Sequence, residues 1–199
     1  MSFIDELEYR FRELNEALSF LLAILSLAVA FFPLNPIAFG ISLLTATTAI
    51  VPHELAHRQS ARNYGCNSRF VLSFKGFLAT LIINLISGIF NIGILVFVAG
   101  YTAIMCRFGL LDRDIEGKTA FAGPATNLVI AVISLFLYHL IRLHLLSFIL
   151  AEIAAFNSYV AFFNLIPIPP LDGFKIIRWN RSVWIVAIAF AIILTFFVI

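Results

Sequence analysis

Charged residues are scarce in this sequence: they make up 12% of its 199 residues, against about a quarter of an ordinary soluble domain. Because hydrophobic residues make up 62%, we do not expect a water-soluble fold. Apolar runs that approach or exceed the roughly 20 residues needed to cross a bilayer lie at 17–35, 37–52, 76–105, 119–138, 145–166 and 182–199. We therefore predict an all-α polytopic membrane protein with about six transmembrane segments.

Cysteine is also scarce, with only Cys66 and Cys106 in the chain. The two are far apart in sequence and match no zinc or redox spacing, so we expect neither a disulfide framework nor a cysteine metal site. The basic residues are spread over several short loops rather than massed in one stripe, which gives no indication of nucleic-acid binding. Charges of both signs fill residues 5–16, which argues against a cleaved signal peptide.

The apolar stretch 76–105 is too long for one straight span, because about 30 helical residues measure about 45 Å, against a hydrocarbon thickness of about 30 Å. We predict that it folds back as a re-entrant loop or hairpin, bent near Gly88, Asn91 or Gly93. Every Lys and Arg except Arg142 then lies on one side of the membrane. By the positive-inside rule, that side is cytoplasmic. The N-terminus and the mouth of the site described next are then cytoplasmic too.

Two histidines and a glutamate stand together near the end of the second predicted span, in the motif His53-Glu54-Leu55-Ala56-His57. Residues four apart share one face of a helix, so both imidazoles can bind one metal ion. Glu54 then lies beside the metal, where its carboxylate can take a proton from an attacking water molecule and pass it to a leaving amine. Ionisable groups in apolar surroundings are costly, which favours such a functional role.

A catalytic zinc ion normally has three protein ligands, so a third is needed. Only Glu152 and Asp172 offer a further carboxylate in or beside apolar surroundings. Glu152 comes early in an inward-running span, towards the outer leaflet, whereas Asp172 is expected near the cytoplasmic mouth, at the depth of the histidines. We predict that Asp172 is the third ligand.

Further motifs follow in order: Tyr64-Gly65, then Gly123-Pro124-Ala125-Thr126-Asn127, then Asn164-Leu165-Ile166-Pro167-Ile168-Pro169-Pro170-Leu171-Asp172-Gly173. Together with the histidine motif, this series resembles the site-2 protease family of intramembrane zinc metalloproteases (peptidase family M50). The resemblance covers about residues 37–180, which we take as the catalytic core.

The resemblance implies that His53, His57 and Asp172 bind one zinc ion per chain and that Glu54 is the general acid and base. It also implies membrane-associated extended structure between the second span and the next full span. The implied substrates are membrane-anchored proteins, cut in or near a transmembrane helix towards the cytoplasmic side.

Residues 1–199 are expected to form a single membrane-embedded domain of a multi-pass protein, most simply in the cell membrane. The lipid bilayer and membrane-anchored substrates are the expected partners. The sequence departs from many members of the family in having Phe74-Lys75-Gly76-Phe77 where they have a glycine-rich pair. It also lacks PDZ and cystathionine-synthase-type regulatory domains, so we expect no soluble regulatory domain.

Two asparagines fall within the quoted motifs, Asn127 and Asn164. We suggest that one of them donates a hydrogen bond to an oxyanion or orients a zinc ligand. Purely structural roles are the alternative: Asn127 can satisfy backbone groups near a helix start, and Asn164 can hold the proline-broken backbone that follows it.

Two other functions remain open on the sequence. One is a membrane protease of the prenyl-protein-processing type, in which Glu152 would complete the zinc site. The other is a non-catalytic membrane protein that binds zinc structurally, which would have no need of a base at Glu54.

Overall fold

The computed structural model describes residues 3–31, 36–106 and 112–198. The helices are α1 Phe3–Arg12, α2 Glu16–Ala28, α3 Pro36–Asn63, α4 Phe74–Phe90, α5 Arg113–Leu140, α6 His144–Leu165, α7 Asp172–Trp179 and α8 Arg181–Ile193. A short 3₁₀ turn, Val29–Phe31, follows α2, and a π-helical segment, Leu194–Val198, continues α8. Two strands complete the described fold: β1 Cys66–Leu72 and β2 Gly100–Cys106.

The helical content is 78%, so the prediction of a mainly α-helical, membrane-like protein is confirmed. Three described helices, α3, α5 and α6, are long and apolar enough to cross a membrane. The apolar helices α2, α4 and α8 are shorter. The described residues therefore contain three full-length spans, fewer than the six predicted.

Several polar side chains lie inside the protein, and many large apolar side chains lie on its surface. Asn84, Asn127 and Asn157 are completely buried, whereas Phe90 and Phe136 are 71% and 62% exposed. A soluble protein would expose apolar patches of this extent only at an interface. Buried amides that bond helices to one another, within a surface of apolar side chains, are typical of helices packed in lipid.

The two strands form an antiparallel sheet, in register from Cys66 opposite Cys106 to Leu72 opposite Gly100. This two-stranded sheet is a small β element within the mainly helical fold. After α4 the chain reverses at Asn91 and Gly93, whose φ angles of 51° and 76° lie in the left-handed region.

The returning segment between α4 and β2 has no helix of its own, and side chains of α4 hold it. The Asn84 amide accepts from the Val96 N–H at 2.8 Å and donates to its carbonyl at 2.9 Å. Thr80 and Ser87 accept from the N–H groups of Val98 and Ile94 at 3.1 Å. An extended backbone among apolar helices is tolerated only when its polar groups are satisfied in this way.

A disulfide joins Cys66 to Cys106, whereas the sequence gave no indication of a disulfide framework. Their separation of 40 residues in sequence gave no indication of pairing, but the antiparallel register places their Cα atoms 4.2 Å apart. The bond closes the open end of the sheet, next to the end of α3.

Two apolar cores flank the region where α3, α5 and α7 meet. The first joins α2, α3, α6 and the sheet through residues such as Leu27, Ile50 and Phe70. The second joins α5, α6, α7 and α8 through residues such as Leu165 and Ile176. Because α6 contributes to both, it fixes the ends of α3 and α7 relative to each other.

Candidate metal centre

The histidine motif lies in the second half of α3, and its histidines and Glu54 are on the face turned into the protein. His53, Glu54 and His57 are 2%, 4% and 6% exposed. The predicted helical spacing is therefore present, and it directs both imidazoles towards α5 and α7. Their Nε2 atoms are 3.0 Å apart.

Asp172 reaches the same point from the other side, as the first residue of α7. Its Oδ2 atom lies 3.3 Å from His53 Nε2 and 3.1 Å from His57 Nε2. Next to it, Gly173 packs on the end of α6, where an added Cβ would lie 2.1 Å from the Leu165 carbonyl oxygen. Only glycine permits this close approach, which seats α7 with its first residue at the histidines.

Hydrogen bonds on the far side of each imidazole fix which nitrogen faces the site. Asn127 Nδ2 donates to the carbonyl of Ala49 and to Asn157 Oδ1, both at 2.9 Å. Its Oδ1 must therefore accept from His53 Nδ1, at 2.5 Å. His57 Nδ1 likewise donates to the carbonyl oxygen of Thr119 at 2.7 Å. In the neutral form of either ring, Nε2 then carries a lone pair that faces the centre.

The centre thus collects two nitrogen lone pairs and a carboxylate oxygen. Three such acceptors repel one another unless a cation lies between them. Zinc bound to nitrogen and oxygen at about 2.0–2.1 Å places tetrahedral ligands about 3.3 Å apart, which the observed separations of 3.0, 3.1 and 3.3 Å match.

Gly123 of α5 keeps this space open. A Cβ atom there would lie 2.4 Å from His57 Nε2 and 2.7 Å from His53 Nε2, the two atoms that face the metal position. An open space lined by imidazole nitrogens and a carboxylate suits a metal ion, and the residues present therefore fit zinc.

Glu54 belongs to the same buried region but not to the ligand group. Its Oε2 atom accepts a hydrogen bond of 2.7 Å from the hydroxyl of Thr102, in the middle of β2. The sheet therefore reaches the centre through Thr102 and fixes one oxygen of the Glu54 carboxylate.

The structure brings together His53, His57 and Asp172, the one group of three or more possible ligands among the described residues, with all ligand atoms within 4.8 Å of one another. Glu152 does not belong to it. Asn127 contacts His53, whereas Asn164 donates to the carbonyl of Val160 in its own helix at 2.9 Å.

Three residues of the centre were not predicted from the sequence: Thr102, Thr119 and Gly123. Thr119 acts through its backbone carbonyl, which leaves no signal in side-chain identity. Thr102 reaches Glu54 only through the long-range pairing of β1 with β2. Gly123 stood inside a quoted motif, but its role depends on the contact between α5 and α3.

Replacing Gly123 by alanine tests the metal space directly. We expect Gly123→Ala to displace an imidazole and to reduce bound zinc in the purified protein by about tenfold or more, in the range that disturbed ligand orientation costs. Gly40→Ala is the matched control, because a Cβ at Gly40 has no heavy atom within 4 Å. Metal analysis that finds full zinc in Gly123→Ala would contradict the placement of the ion.

Neither a family model nor a solved structure matches this chain. It is 31% identical over 179 residues to a protein of Methanocaldococcus jannaschii named "Putative zinc metalloprotease MJ0611", and the match covers 88% of this chain and 90% of that protein. It is 28% identical over 164 residues to "Putative zinc metalloprotease YwhC" of Bacillus subtilis, covering 74% of this chain and 71% of that protein. With a ligand group that fits zinc and matches of this extent, the chain belongs to the family of zinc metalloproteases that these two proteins represent, and zinc is its cofactor.

Proposed function

We propose that this protein is an intramembrane protease of the site-2 type, which hydrolyses peptide bonds in or near the transmembrane helices of membrane-anchored proteins. The observation that carries the proposal is the buried carboxylate of Glu54, next to a group of three zinc-binding side chains. A structural zinc site has no need of a base there.

Each residue of the centre has a role in peptide hydrolysis. When bound, zinc acts as a Lewis acid that polarises the scissile carbonyl and makes water a better nucleophile. His53, His57 and Asp172 hold the ion, and Asn127 keeps His53 in the tautomer that can bind it. Glu54 takes a proton from the attacking water and transfers it to the leaving nitrogen.

Thr102 positions the base. Its hydroxyl donates to Oε2 of Glu54 and leaves Oε1 without a hydrogen bond among the described residues. A carboxylate held by one oxygen has the other free to meet water in a defined direction.

The position of the centre supports cleavage within the membrane. It lies against α3 and α5, two of the helices that can cross a bilayer. We propose that the shorter apolar helices α2, α4 and α8 also enter the membrane, which would give about six membrane segments. A substrate helix has to unwind before hydrolysis, because its carbonyls are already hydrogen-bonded. We propose that α4 and the segment returning to β2 enter the membrane as a re-entrant hairpin from the same side as the site mouth.

The positive-inside rule supports a cytoplasmic mouth, as Arg58, Arg69 and Lys75 lie at this end and Arg142 at the other. The disulfide Cys66–Cys106 is also at the mouth. This orientation therefore requires a host whose cytoplasm tolerates disulfides, as that of hyperthermophiles does.

The ligand group favours the site-2 type over the prenyl-protein-processing type. In the second type a downstream glutamate completes the zinc site, and Glu152 would have that role. Asp172 lies within 3.3 Å of both histidine Nε2 atoms and leaves Glu152 no part in the group.

Replacing Glu54 by glutamine tests catalysis separately from metal binding. We expect Glu54→Gln to keep its zinc and to cleave a membrane-anchored reporter about a hundredfold to ten-thousandfold more slowly, because general acid–base catalysis contributes about 10²–10⁴. Reporter cleavage and zinc content are measured on the same preparations.

Glu152→Gln is the matched control, since it removes a carboxylate from the membrane region outside the centre; we expect it to retain both zinc and activity. Undiminished cleavage by Glu54→Gln would exclude Glu54 as the base. Zinc binding without cleavage of any of several reporters by the wild type would favour the non-catalytic protein, and zinc loss in Glu152→Gln would favour the prenyl-processing type.

Thr102→Val tests the positioning of the base with a side chain of the same shape. A hydrogen bond to a charged group contributes about 1.5–3 kcal/mol, so we expect kcat to fall about 10- to 100-fold while KM and zinc content change little. Thr102→Ser restores the hydroxyl and should recover most of the activity. A loss of zinc, or a rise in KM with kcat unchanged, would mean that Thr102 supports the sheet and not Glu54.

A further inference from the structure

A groove of about 540 Å³ lies outside the metal centre, where α5 begins, α7 ends and α8 begins. This volume is within the roughly 300–1,000 Å³ of typical ligand sites. Its lining is half cationic and half apolar: Arg113, Arg178 and Arg181 with Ile177, Trp184 and Ile185. None of the proposed catalytic or ligand residues lines it.

The three arginines bring positive charge together without a carboxylate partner. None of them forms an ion pair within the part of the chain that the structure describes; Arg178 lies over the ring of Phe174, at 5.2 Å. The neighbouring Asp114 is already bonded to Lys118 at 2.6 Å and to the indole N–H of Trp179 at 2.8 Å. Three guanidinium groups that line one groove repel one another, which an anion between them would relieve.

Helix geometry adds to this positive potential. Arg113 is the first residue of α5, a helix of 28 residues, and Arg181 the first of α8, with 13. The N-terminal end of the α8 dipole lies at the groove and favours a negative charge there. In α5, Asp114 and Glu116 already occupy the first turn. Guanidinium groups in a planar fork suit phosphate oxygens in particular.

The apolar half of the groove continues onto the outer surface of α8. Ile185 and Val186 are 56% and 70% exposed there. Both tryptophans of the chain lie beside the groove, Trp179 and Trp184, and Trp184 donates its indole N–H to the Leu165 carbonyl at 2.8 Å. Tryptophan and arginine together mark the level of lipid headgroups, with acyl chains along the apolar side chains that follow.

We propose that this groove is a binding site for an acidic phospholipid, whose phosphate is held by Arg113, Arg178 and Arg181 and whose acyl chain lies along Ile185 and Val186. A free phosphate ion shares the headgroup chemistry but not the acyl-chain contact. The apolar lining and its continuation along α8 therefore favour the lipid.

The test compares lipid binding by the full chain in detergent, using native mass spectrometry with phosphatidylglycerol or phosphatidylcholine of the same acyl chains. Since each arginine near an anionic headgroup contributes about fivefold to affinity, we expect at least about tenfold tighter binding of phosphatidylglycerol. The triple variant R113Q/R178Q/R181Q should lose that preference. In case the triple variant folds poorly, Arg181→Gln alone should reduce the preference about threefold or more, with zinc content reporting that the protein is intact.

The control triple variant R62Q/K75Q/R142Q removes the same charge from exposed residues outside the groove, and it should bind phosphatidylglycerol like the wild type. Equal binding of the two lipids by the wild type, or an equal loss in the control variant, would overturn the proposal. So would full displacement of phosphatidylglycerol by millimolar inorganic phosphate, because the site would then be one for the free ion.

Discussion

Three hydrogen-bond acceptors converge inside an apolar protein, and the rest of the structure serves to hold them there. Two imidazole nitrogens and a carboxylate oxygen lie 3.0–3.3 Å apart, an arrangement that only a positive charge between them stabilises. The chain meets this requirement with three separate elements, because α3 supplies both histidines, α7 begins at Asp172, and α5 leaves the space open at Gly123. A shift of any one element by an ångström would separate the acceptors from the ion that they share.

The surrounding polar residues extend the same principle to the whole molecule. Inside lipid, every buried polar group needs a partner within the protein. The amide of Asn127 meets this need for three groups at once, since it bonds to His53, to Asn157 and to the carbonyl of Ala49. Asn84 does the same for the extended segment that leads to β2. The segment leads into β2, where the hydroxyl of Thr102 donates to Glu54. The non-helical part of the fold therefore contacts the proposed base.

Sequence alone was enough for the parts of the centre that depend on local spacing. The histidine motif follows from helical periodicity, and the preference for Asp172 over Glu152 followed from depth in the membrane and agrees with the ligand group of the structure. The long apolar helices α3, α5 and α6 were also predictable, since their length and hydropathy suffice.

What the sequence did not predict depends on long-range pairing. The strands β1 and β2 are separated by all of α4, so neither their register nor the disulfide Cys66–Cys106 has a local signal. Thr102 was missed for the same reason. Asn164, one of the two asparagines suggested for the site, bonds within its own helix, in line with the structural alternative. The prediction of six spans was based on the length of apolar runs in the sequence. The helices α2, α4 and α8 are shorter than the apolar runs that they overlap.

X-ray absorption at the zinc edge of the purified, zinc-loaded protein tests the central claim most directly. The account predicts a first shell of nitrogen and oxygen only, at about 2.0–2.1 Å, with the outer-shell scattering of two imidazole rings. Replacement of Asp172 by asparagine should change that shell while both imidazole contributions remain. Sulfur scattering at about 2.3 Å, or the signal of fewer than two imidazoles, would contradict the account, because the ion would then be held by groups other than His53, His57 and Asp172.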